Sequence, residues 1–453
     1  MNWTRVRDKV IEENYPDTKE LRDARNVYDK ISGYIKGEFG LETHFAGSTG
    51  RGTCMSGDKD IDLFVLFPKD TDRKTLEQQG LTVGKRAFEN FEGEYRVEYA
   101  EHPYIKGEIE GHEVEIVPCY KVSPDNIKSA VDRTPHHSKW ASENLGEQQK
   151  RDAVILKKFL NSGGLYGSSL KVRAFSGYLC EILIAHYGSF KELAEAAENW
   201  SQNQVIDPEG HYEGELPQDL EEKFSDEPLV VIDPVDPERN VASVMSTENY
   251  AKVIHRFWQF NKEPSMKFFH EESRDVSEFE IKQEIDKRAQ FLVMEFERPE
   301  AVEDVIYPQM RKALRRIKGE LEKQDFRLFE SGFHVGDEKT RIFIEVEGTL
   351  PELRQQKGPK VFHGVDHLEQ FTQKYENTFI KDDRIYAKVD REHTRAKQYL
   401  NQFLSKDVEQ LEEQGIPEHI AEKIVEFRFT DPVPEDKEWL KYLAKKLNVK
   451  ENE

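Results

Sequence analysis

Two aspartates stand at the start of an apolar segment, and their spacing is suited to binding a cation. Asp60 and Asp62 precede the sequence LFVLF, which is apolar on both faces. A β-strand places residues i and i+2 on the same face, so the two carboxylates would lie side by side. A hard divalent cation could bridge them. A fully apolar run of this length is typical of a strand in the middle of a sheet, so the carboxylates would stand at the mouth of a rigid element.

The segment before this strand combines small residues with a positive charge. Its small residues include Gly47, Ser48, Gly50 and Gly52. They predict a loop whose backbone can turn its N–H groups toward an anion, and Arg51 adds a fixed cation. A lone Asp-x-Asp or Gly-Ser-x-x-Arg pattern is common by chance. A triphosphate-binding loop followed by a metal-binding strand is what phosphoryl or nucleotidyl transfer requires, so the combination is much more specific than either pattern.

A second candidate strand, HEVEIVPCY at residues 112–120, carries a third carboxylate. Glu115 would share one face with Glu113, while Val114 and Ile116 take the other. Two acidic side chains on one face of a mostly apolar strand are costly unless water or a cation receives them. Glu115 is therefore the third candidate ligand, and Glu113 is its rival.

Eight motifs of the chain resemble those of a known family. They are GSTGRGT, KDIDLFVLF, AEHPYIKG, VEIVPCYKV, IKSAVDRTP, ILKKFLNSGGLYG, KVRAFSGYLCE and DPVDPERNVA. They are similar to motifs of the archaeal, class I CCA-adding enzymes, which are tRNA nucleotidyltransferases of the DNA polymerase β superfamily. The resemblance is dense from about residue 45 to residue 260 and thinner afterwards. It implies template-independent addition of C, C and A to the 3′ end of tRNA from CTP and ATP, by a homodimer.

The resemblance also assigns roles to individual residues. It implies that Asp60 and Asp62 bridge two Mg²⁺ ions, with Glu115 completing one site where the family carries an aspartate. The implied nucleotide-binding residues are Ser48, Arg51, Thr134, His137, Lys157, Tyr166 and Arg239. Aligned on the DRTP motif, His137 rather than His136 falls at the nucleotide position.

Several of these residues have simpler explanations. His137 could be an exposed loop residue without a role, and Tyr166 could be a core aromatic beside a turn. Arg239 could brace its own turn by pairing with Asp233 or Asp236. The family resemblance favours the nucleotide pocket for all three.

Length and composition limit the class of protein. The chain has 453 residues, enough for three or four domains, and its 11% aromatic content argues against disorder. It lacks a run of eighteen apolar residues, and its three cysteines show no metal-binding spacing. We therefore expect a protein of the reducing cytoplasm, without a membrane span. Because the net charge is −22, RNA binding would require basic surface segregated on an acidic body.

The periodicity of apolar residues predicts the elements that position these groups. Helices are expected over residues 1–40, which we expect to pack behind the sheet, and over residues 74–90 and 147–160. Residues 201–227 are expected to form a loop excursion, and Pro308 to start a basic helix through residues 310–321. Arg311, Arg315 and Arg316 of this helix, and a tract over residues 379–399, are candidate RNA contacts.

We expect an α+β protein with a polymerase β-like nucleotidyltransferase head at residues 1–140. A helical neck carrying the nucleotide pocket would follow at residues 141–262, then a mixed body and tail for tRNA binding at residues 263–453. One alternative is another enzyme of the superfamily, such as a poly(A) polymerase or an oligoadenylate synthase. A second alternative is a tRNA-binding scaffold whose catalytic site has decayed, against which the intact Ser48, Arg51, Asp60, Asp62 and Lys157 argue.

Overall fold

The computed structural model describes residues 2–99, 101–212, 214–271 and 276–449. The chain forms two compact units, residues 1–272 and 273–453. Both mix helices with sheets, which confirms the expected fold class.

The first unit begins with a five-stranded sheet and its helices. These elements are α1 (Trp3–Asn14), α2 (Thr18–Phe39), β1 (Glu42–Phe45), α3 (Gly47–Arg51), β2 (Asp60–Pro68), α4 (Arg73–Asn90), β3 (Glu94–Tyr99), β4 (Pro103–Ile109) and β5 (His112–Lys121). The sheet order is β1-β2-β5-β4-β3, and β2 pairs with β5 in parallel while its other pairs are antiparallel. The apolar run after Asp62 thus lies inside the sheet, as predicted.

Helices α2 and α4 cover one face of this sheet. Ile31 and Ile35 of α2 and Phe88 of α4 are fully buried in the same core as the strands. The helix α4 lies very close to the sheet, because a Cβ on Gly84 would come within 2.6 Å of the Ile105 side chain. The two helices therefore support the strands that carry the carboxylates.

The remaining part of the first unit is mainly helical. Its elements are α5 (Arg133–Asn144), α6 (Glu147–Ser162), α7 (Gly177–Tyr187), α8 (Phe190–Ala197), β6 (Gln204–Ile206), α9 (Gln218–Phe224), β7 (Leu229–Val231) and α10 (Thr247–Lys262). The prediction of an excursion without regular structure over residues 201–227 was wrong, because that segment contains β6 and α9. The strand β6 pairs in parallel with β7.

An aromatic core holds these helices together. Phe159 of α6, Phe190 of α8 and Phe257 of α10 are fully buried and contact one another. Val6 and Val10 of α1 belong to this core as well. The expectation that the first helices pack behind the sheet is therefore confirmed for α2 and wrong for α1, whose apolar face packs against α6.

The second unit contains two further sheets. Its elements are α11 (Glu278–Asp286), β8 (Gln290–Glu297), α12 (Glu303–Lys323), β9 (Leu328–Val335), β10 (Lys339–Val346), β11 (Leu353–Lys360), α13 (Val365–Lys374), β12 (Thr378–Lys381), β13 (Arg384–Asp390), α14 (Ala396–Leu404), α15 (Val408–Glu413), α16 (Glu418–Ile424), β14 (Arg428–Thr430) and α17 (Lys437–Lys446). The antiparallel sheets have the orders β14-β8-β10-β9 and β11-β13-β12.

The basic helix α12 differs from its prediction at one end. Pro308 lies inside α12, whose first residue is Glu303, and not at its start. Met310, Ile317 and Leu321 are fully buried and form the inward face of α12. Among the described residues, no helix has both the length and the apolarity needed to cross a membrane.

Candidate active site

The register between β2 and β5 brings the candidate carboxylates together. Asp60 lies beside Glu113 and Asp62 beside Glu115 on neighbouring parallel strands. Residues in register on adjacent strands point to the same face, so four carboxylates share one corner of the sheet. Each strand carries two acids two residues apart, and the register sets the two pairs side by side.

Asp62 is the member of this group whose pKa is shifted most by burial. Burial, with Glu115 as the next cause, raises the pKa of Asp62 to about 6. Burial also raises the pKa of Asp60, with Asp58 and Glu113 contributing in the same direction. Like charges held together in partial burial repel one another, and a divalent cation is the group that relieves this repulsion. The oxygen donors therefore fit a hard cation such as Mg²⁺.

Gly47 fits against Asp62 so closely that no other residue could replace it without rearrangement. A Cβ on Gly47 would lie 1.7 Å from Oδ2 of Asp62. The φ angle of Gly47 is +65°, which side chains also disfavour. The glycine-rich segment forms the short helix α3 and not the predicted loop, and Ser48 lies half-buried in its first turn.

Lys106 on β4 contacts the third carboxylate. Its ammonium donates to Oε1 of Glu115 at 2.8 Å and also pairs with Glu113. These two glutamates raise the pKa of Lys106 against the opposing effect of burial. Among the residues that the structure describes, no three acidic, histidine or cysteine side chains are close enough as they stand to hold a metal ion.

Arg51 and Lys157 meet at a buried glutamate that the sequence analysis missed. Glu181 of α7 is fully buried, and its Oε2 accepts from Nε of Arg51 at 2.7 Å. Nζ of Lys157 donates to Oε1 of Glu181 at 3.0 Å and to the carbonyl and hydroxyl oxygens of Thr53 at 2.9 and 3.2 Å. The side chain of Lys157 is only 1% exposed. A single acid in the apolar sequence GYLCEILIAHY was the available signal.

His137 and Arg239 converge on a second buried acid. Oδ2 of Asp233 lies 2.9 Å from Nε2 of His137 and accepts from Nη1 of Arg239 at 2.7 Å. Burial lowers the pKa of His137 although Asp233 opposes that shift. His137 also stacks on the ring of Tyr178 with a centroid distance of 4.1 Å. Arg239 therefore does pair with Asp233, as the simpler interpretation expects, and this pairing fixes its position beside His137.

His136, Thr134 and Tyr166 lie outside the contacts described so far. Nε2 of His136 lies 2.9 Å from the carbonyl oxygen of Val122, so His136 has a structural partner. Thr134 is half-buried at the start of α5. Tyr166 borders the Glu181 cluster, because a Cβ on Gly177 would lie 3.1 Å from its Oη and 3.5 Å from Nζ of Lys157.

Eight of the ten predicted site residues fall into three groups in the first unit. Asp60, Asp62 and Glu115 share the sheet corner; Arg51, Lys157 and Tyr166 surround Glu181; His137 and Arg239 surround Asp233. Gly47 against Asp62 connects α3 to the first group, and Nη1 of Arg51 donates to Ser138 of α5 at 3.3 Å.

Three family models match the chain in sequence order. The nucleotidyltransferase domain matches residues 29–137, the second domain of tRNA nucleotidyltransferases matches residues 151–270, and the C-terminal domain of CCA-adding enzymes matches residues 287–428. The first match covers the five-stranded sheet and the second covers α7 with Glu181.

Curated relatives resemble the chain over most of its length. The CCA-adding enzyme of Methanocaldococcus jannaschii is 38% identical over 395 residues, which are 85% of this chain and 87% of that protein. The CCA-adding enzyme of Methanosarcina mazei is 35% identical over 429 residues, which are 90% of this chain and 91% of that protein. Among solved structures, the Cid1 poly(U) polymerase has a TM-score of 0.49 at 13% identity and covers 59% of this chain and 98% of that chain. A likeness that distant has no bearing on function.

Parallel strands that bring carboxylates together, within a segment matching the nucleotidyltransferase domain, define the protein as a nucleotidyltransferase. This fold implies dependence on a divalent metal. Identity of more than a third across nearly the whole chain narrows the class further. The chain belongs to the family of archaeal CCA-adding enzymes, which confirms the resemblance of its motifs.

Proposed function

We propose that this protein adds the 3′-terminal CCA sequence to tRNA without a nucleic-acid template, using CTP and ATP and releasing pyrophosphate. The observation that supports this most strongly is the register of Asp62 with Glu115, beside Asp60, in a chain of this family. Nucleotidyl transfer needs carboxylates clustered at one edge of a rigid element. The two central strands supply that arrangement.

Asp60, Asp62 and Glu115 would hold two Mg²⁺ ions. Ions bound there would lower the pKa of the attacking RNA hydroxyl and stabilise the pyrophosphate that leaves. Lys106 orients the Glu115 carboxylate from the neighbouring strand, at 2.8 Å. Gly47 keeps α3 against Asp62, so the segment that carries Ser48 and Arg51 stays close to the carboxylates.

The nucleotide would lie between the carboxylate group and the helices. Ser48, Arg51 and Lys157 are proposed to bind the triphosphate, since two of them are cations near α3. Thr134, His137, Tyr166 and Arg239 are proposed to contact the sugar and base. His137 bonds to Asp233 through Nε2, which leaves Nδ1 for another partner. Binding in this way holds the α-phosphate for in-line attack by the terminal RNA hydroxyl.

We also propose three domains and a dimeric assembly for this chain. Residues 1–140 would be the catalytic head, 141–262 the neck and 263–453 the tRNA-binding body and tail. We further propose a homodimer, which light scattering at several protein concentrations would test. Cys54, Cys119 and Cys180 are buried free thiols, as suits a protein working in the cytoplasm.

The direct test uses a tRNA that lacks its 3′ end. It is incubated with Mg²⁺ and with each labelled nucleotide in turn, and the products are sized on a gel. We expect two additions with CTP alone, a third when ATP is also present, and none after that. A long tract from ATP alone would indicate a poly(A) polymerase, and no labelling at all would indicate a scaffold without catalytic activity.

A further inference from the structure

We propose that Glu181 is a positioning residue of the nucleotide site, whose carboxylate fixes Arg51 and Lys157 in the arrangement that receives a triphosphate. This inference rests on the proposed function, because it takes a nucleoside triphosphate as the ligand. The resemblance assigns nucleotide binding to the two cations but no role to the glutamate, which ends the motif KVRAFSGYLCE and lies on a different helix, α7.

The position of Glu181 is unfavourable for a carboxylate unless it is paired. Its neighbours on α7, Cys180 and Ile182, are fully buried, as is Glu181 itself. An isolated carboxylate in such surroundings is strongly disfavoured, whereas an apolar side chain of similar size is commonly tolerated or stabilising. The stability of the fold therefore does not require an acid at position 181. The groups that bond to Glu181 must explain why an acid is present.

Those partners come from two separate segments, since Arg51 and Thr53 both belong to the glycine-rich one. Arg51 belongs to α3 and lies 130 residues away in sequence, Lys157 belongs to α6, and the Thr53 hydroxyl also bonds to Oε1. One carboxylate thus connects the glycine-rich segment beside Asp62 to two helices. Fixing both cations through one rigid group reduces the ordering that nucleotide binding must otherwise impose.

The hydrogen bonds of Arg51 leave part of its guanidinium for a ligand. Nε donates to Oε2 of Glu181 at 2.7 Å, Nη2 to Oε1 at 3.2 Å and Nη1 to the Ser138 hydroxyl at 3.3 Å. A guanidinium has five N–H groups, so two remain without a partner among the described residues. They are held in a fixed direction, which favours bidentate recognition of a phosphate. The three donors of Lys157 are all engaged, so Lys157 would act on the triphosphate through its charge and not through a direct hydrogen bond.

The charges of the cluster do not cancel. Burial would raise the pKa of Glu181, but Arg51 and Lys157 outweigh it and lower the pKa to about 2. At neutral pH one negative charge therefore faces two positive charges. A glutamate that only neutralised the cations would weaken anion binding, and its removal would strengthen it. A positioning role predicts the opposite, so the two roles can be distinguished.

The test compares CTP with CMP, which shares the base and sugar but lacks two phosphates. In Glu181→Gln, we expect the Kd for CTP to rise about tenfold and the Kd for CMP to change less than twofold, measured by calorimetry. The KM for CTP in CCA addition should rise while the KM for tRNA stays constant. Because Glu181→Gln leaves the Lys157 ammonium buried without an anion, Glu181→Asp is measured beside it. The aspartate keeps the charge but is too short to reach both cations, so the same loss is expected; if only this variant folds, its result decides.

Asp152→Asn is the matched control. Asp152 is a buried carboxylate on α6 that interacts with Gln148, Arg7, Phe190 and Glu192 and not with Arg51 or Lys157. Its substitution should leave the ratio of CTP to CMP affinity unchanged. Folded Glu181 variants with the wild-type ratio, or with tighter CTP binding, would overturn the positioning role. If the wild type binds CTP but adds no nucleotide to tRNA, the proposed function fails while the binding comparison still decides the role of Glu181.

Discussion

At the scale of single residues, the candidate site depends on acids that act on other side chains. Glu181 holds Arg51 and Lys157, and Asp233 holds His137 and Arg239. In each case a buried carboxylate faces groups that the motifs associate with nucleotide binding. The cations and the histidine are therefore ordered before any ligand binds, which lowers the entropy that binding must overcome.

The two glutamates on β5 make a matched pair for testing the third metal ligand. Glu115 lies beside Asp62 and its side chain is 26% exposed, whereas Glu113 lies beside Asp60 and is 48% exposed. We expect Glu115→Gln to lower the rate of CTP addition at least about 100-fold, because the shape is kept and the ligand charge is lost. Glu113→Gln should lower the rate less than about threefold.

The measurement is single-turnover CTP addition over a range of Mg²⁺ concentrations. A shift of the Mg²⁺ midpoint in Glu115→Gln would connect the loss to metal binding. An inactive Glu113→Gln beside a normal Glu115→Gln would mean that the rival residue is the ligand.

The sequence alone predicted what depends on short spacing. The two-residue spacing of Asp60 and Asp62 follows from strand geometry, and the run after them predicted a central strand. The contacts of Glu181 with Arg51 and of Asp233 with His137 span 130 and 96 residues, and no local pattern records such pairings. The helix α9 does have a local signal, because Leu220, Glu221 and Glu222 favour helices and Leu220 and Phe224 are buried together.

At the scale of elements, the glycine-rich motif forms α3, which lies against the Asp62 carboxylate. Its position depends on Gly47, where a Cβ would overlap Asp62. We expect Gly47→Ala to lower the melting temperature and to reduce the free energy of unfolding by about 1 to 3 kcal/mol. CTP addition should also fall strongly. The cause is both the positive φ angle and the overlap, which must displace either α3 or Asp62.

Gly33→Ala is the control for this substitution. Gly33 lies in the middle of α2 with nothing within 4 Å of a built Cβ. Alanine there should stabilise the protein by about 0.5 to 1 kcal/mol and leave activity unchanged. Differential scanning calorimetry and the CTP assay compare the two variants. A Gly47→Ala protein as stable and active as the wild type would exclude tight packing of α3 on Asp62.

Helix α6 should show a pH-dependent stability through Asp152. Burial raises the pKa of this carboxyl from 3.8 to about 6. A raised carboxyl pKa means that the folded state holds its proton more tightly, so stability falls as pH rises from about 4 to 6. Asp152→Asn does not ionise, so its stability relative to the wild type should increase over this window by at most about 3 kcal/mol. Chemical denaturation at pH 4.5 and 7 measures the difference, and an equal difference at both would contradict the raised pKa.

At the scale of the whole molecule, the net charge of −22 must be reconciled with tRNA binding. The second unit contains both predicted basic tracts, but part of their charge is paired internally. Arg316 donates to the carbonyl oxygen of Gln414 and pairs with Glu320, and Arg391 pairs with Asp325. Lys312 and Arg315 on α12 are exposed, so they are better candidates for phosphate contacts than the tract as a whole.

Lys312 and Arg315 can be tested together as phosphate contacts. If both contact phosphates, the double variant Lys312→Ala/Arg315→Ala should weaken tRNA binding and flatten its dependence on salt. Each lost contact should remove about 0.7 to 0.9 from the slope of log K against log salt concentration, because fewer counterions are released. CTP affinity should not change, since none of the predicted nucleotide-binding residues belongs to α12. The control is Lys437→Ala/Lys441→Ala, which removes two exposed charges from α17 and leaves the net charge equally more negative. Filter binding at five salt concentrations measures both slopes, and equal slopes for the two double variants would show that the effect is one of net charge and not of contacts on α12.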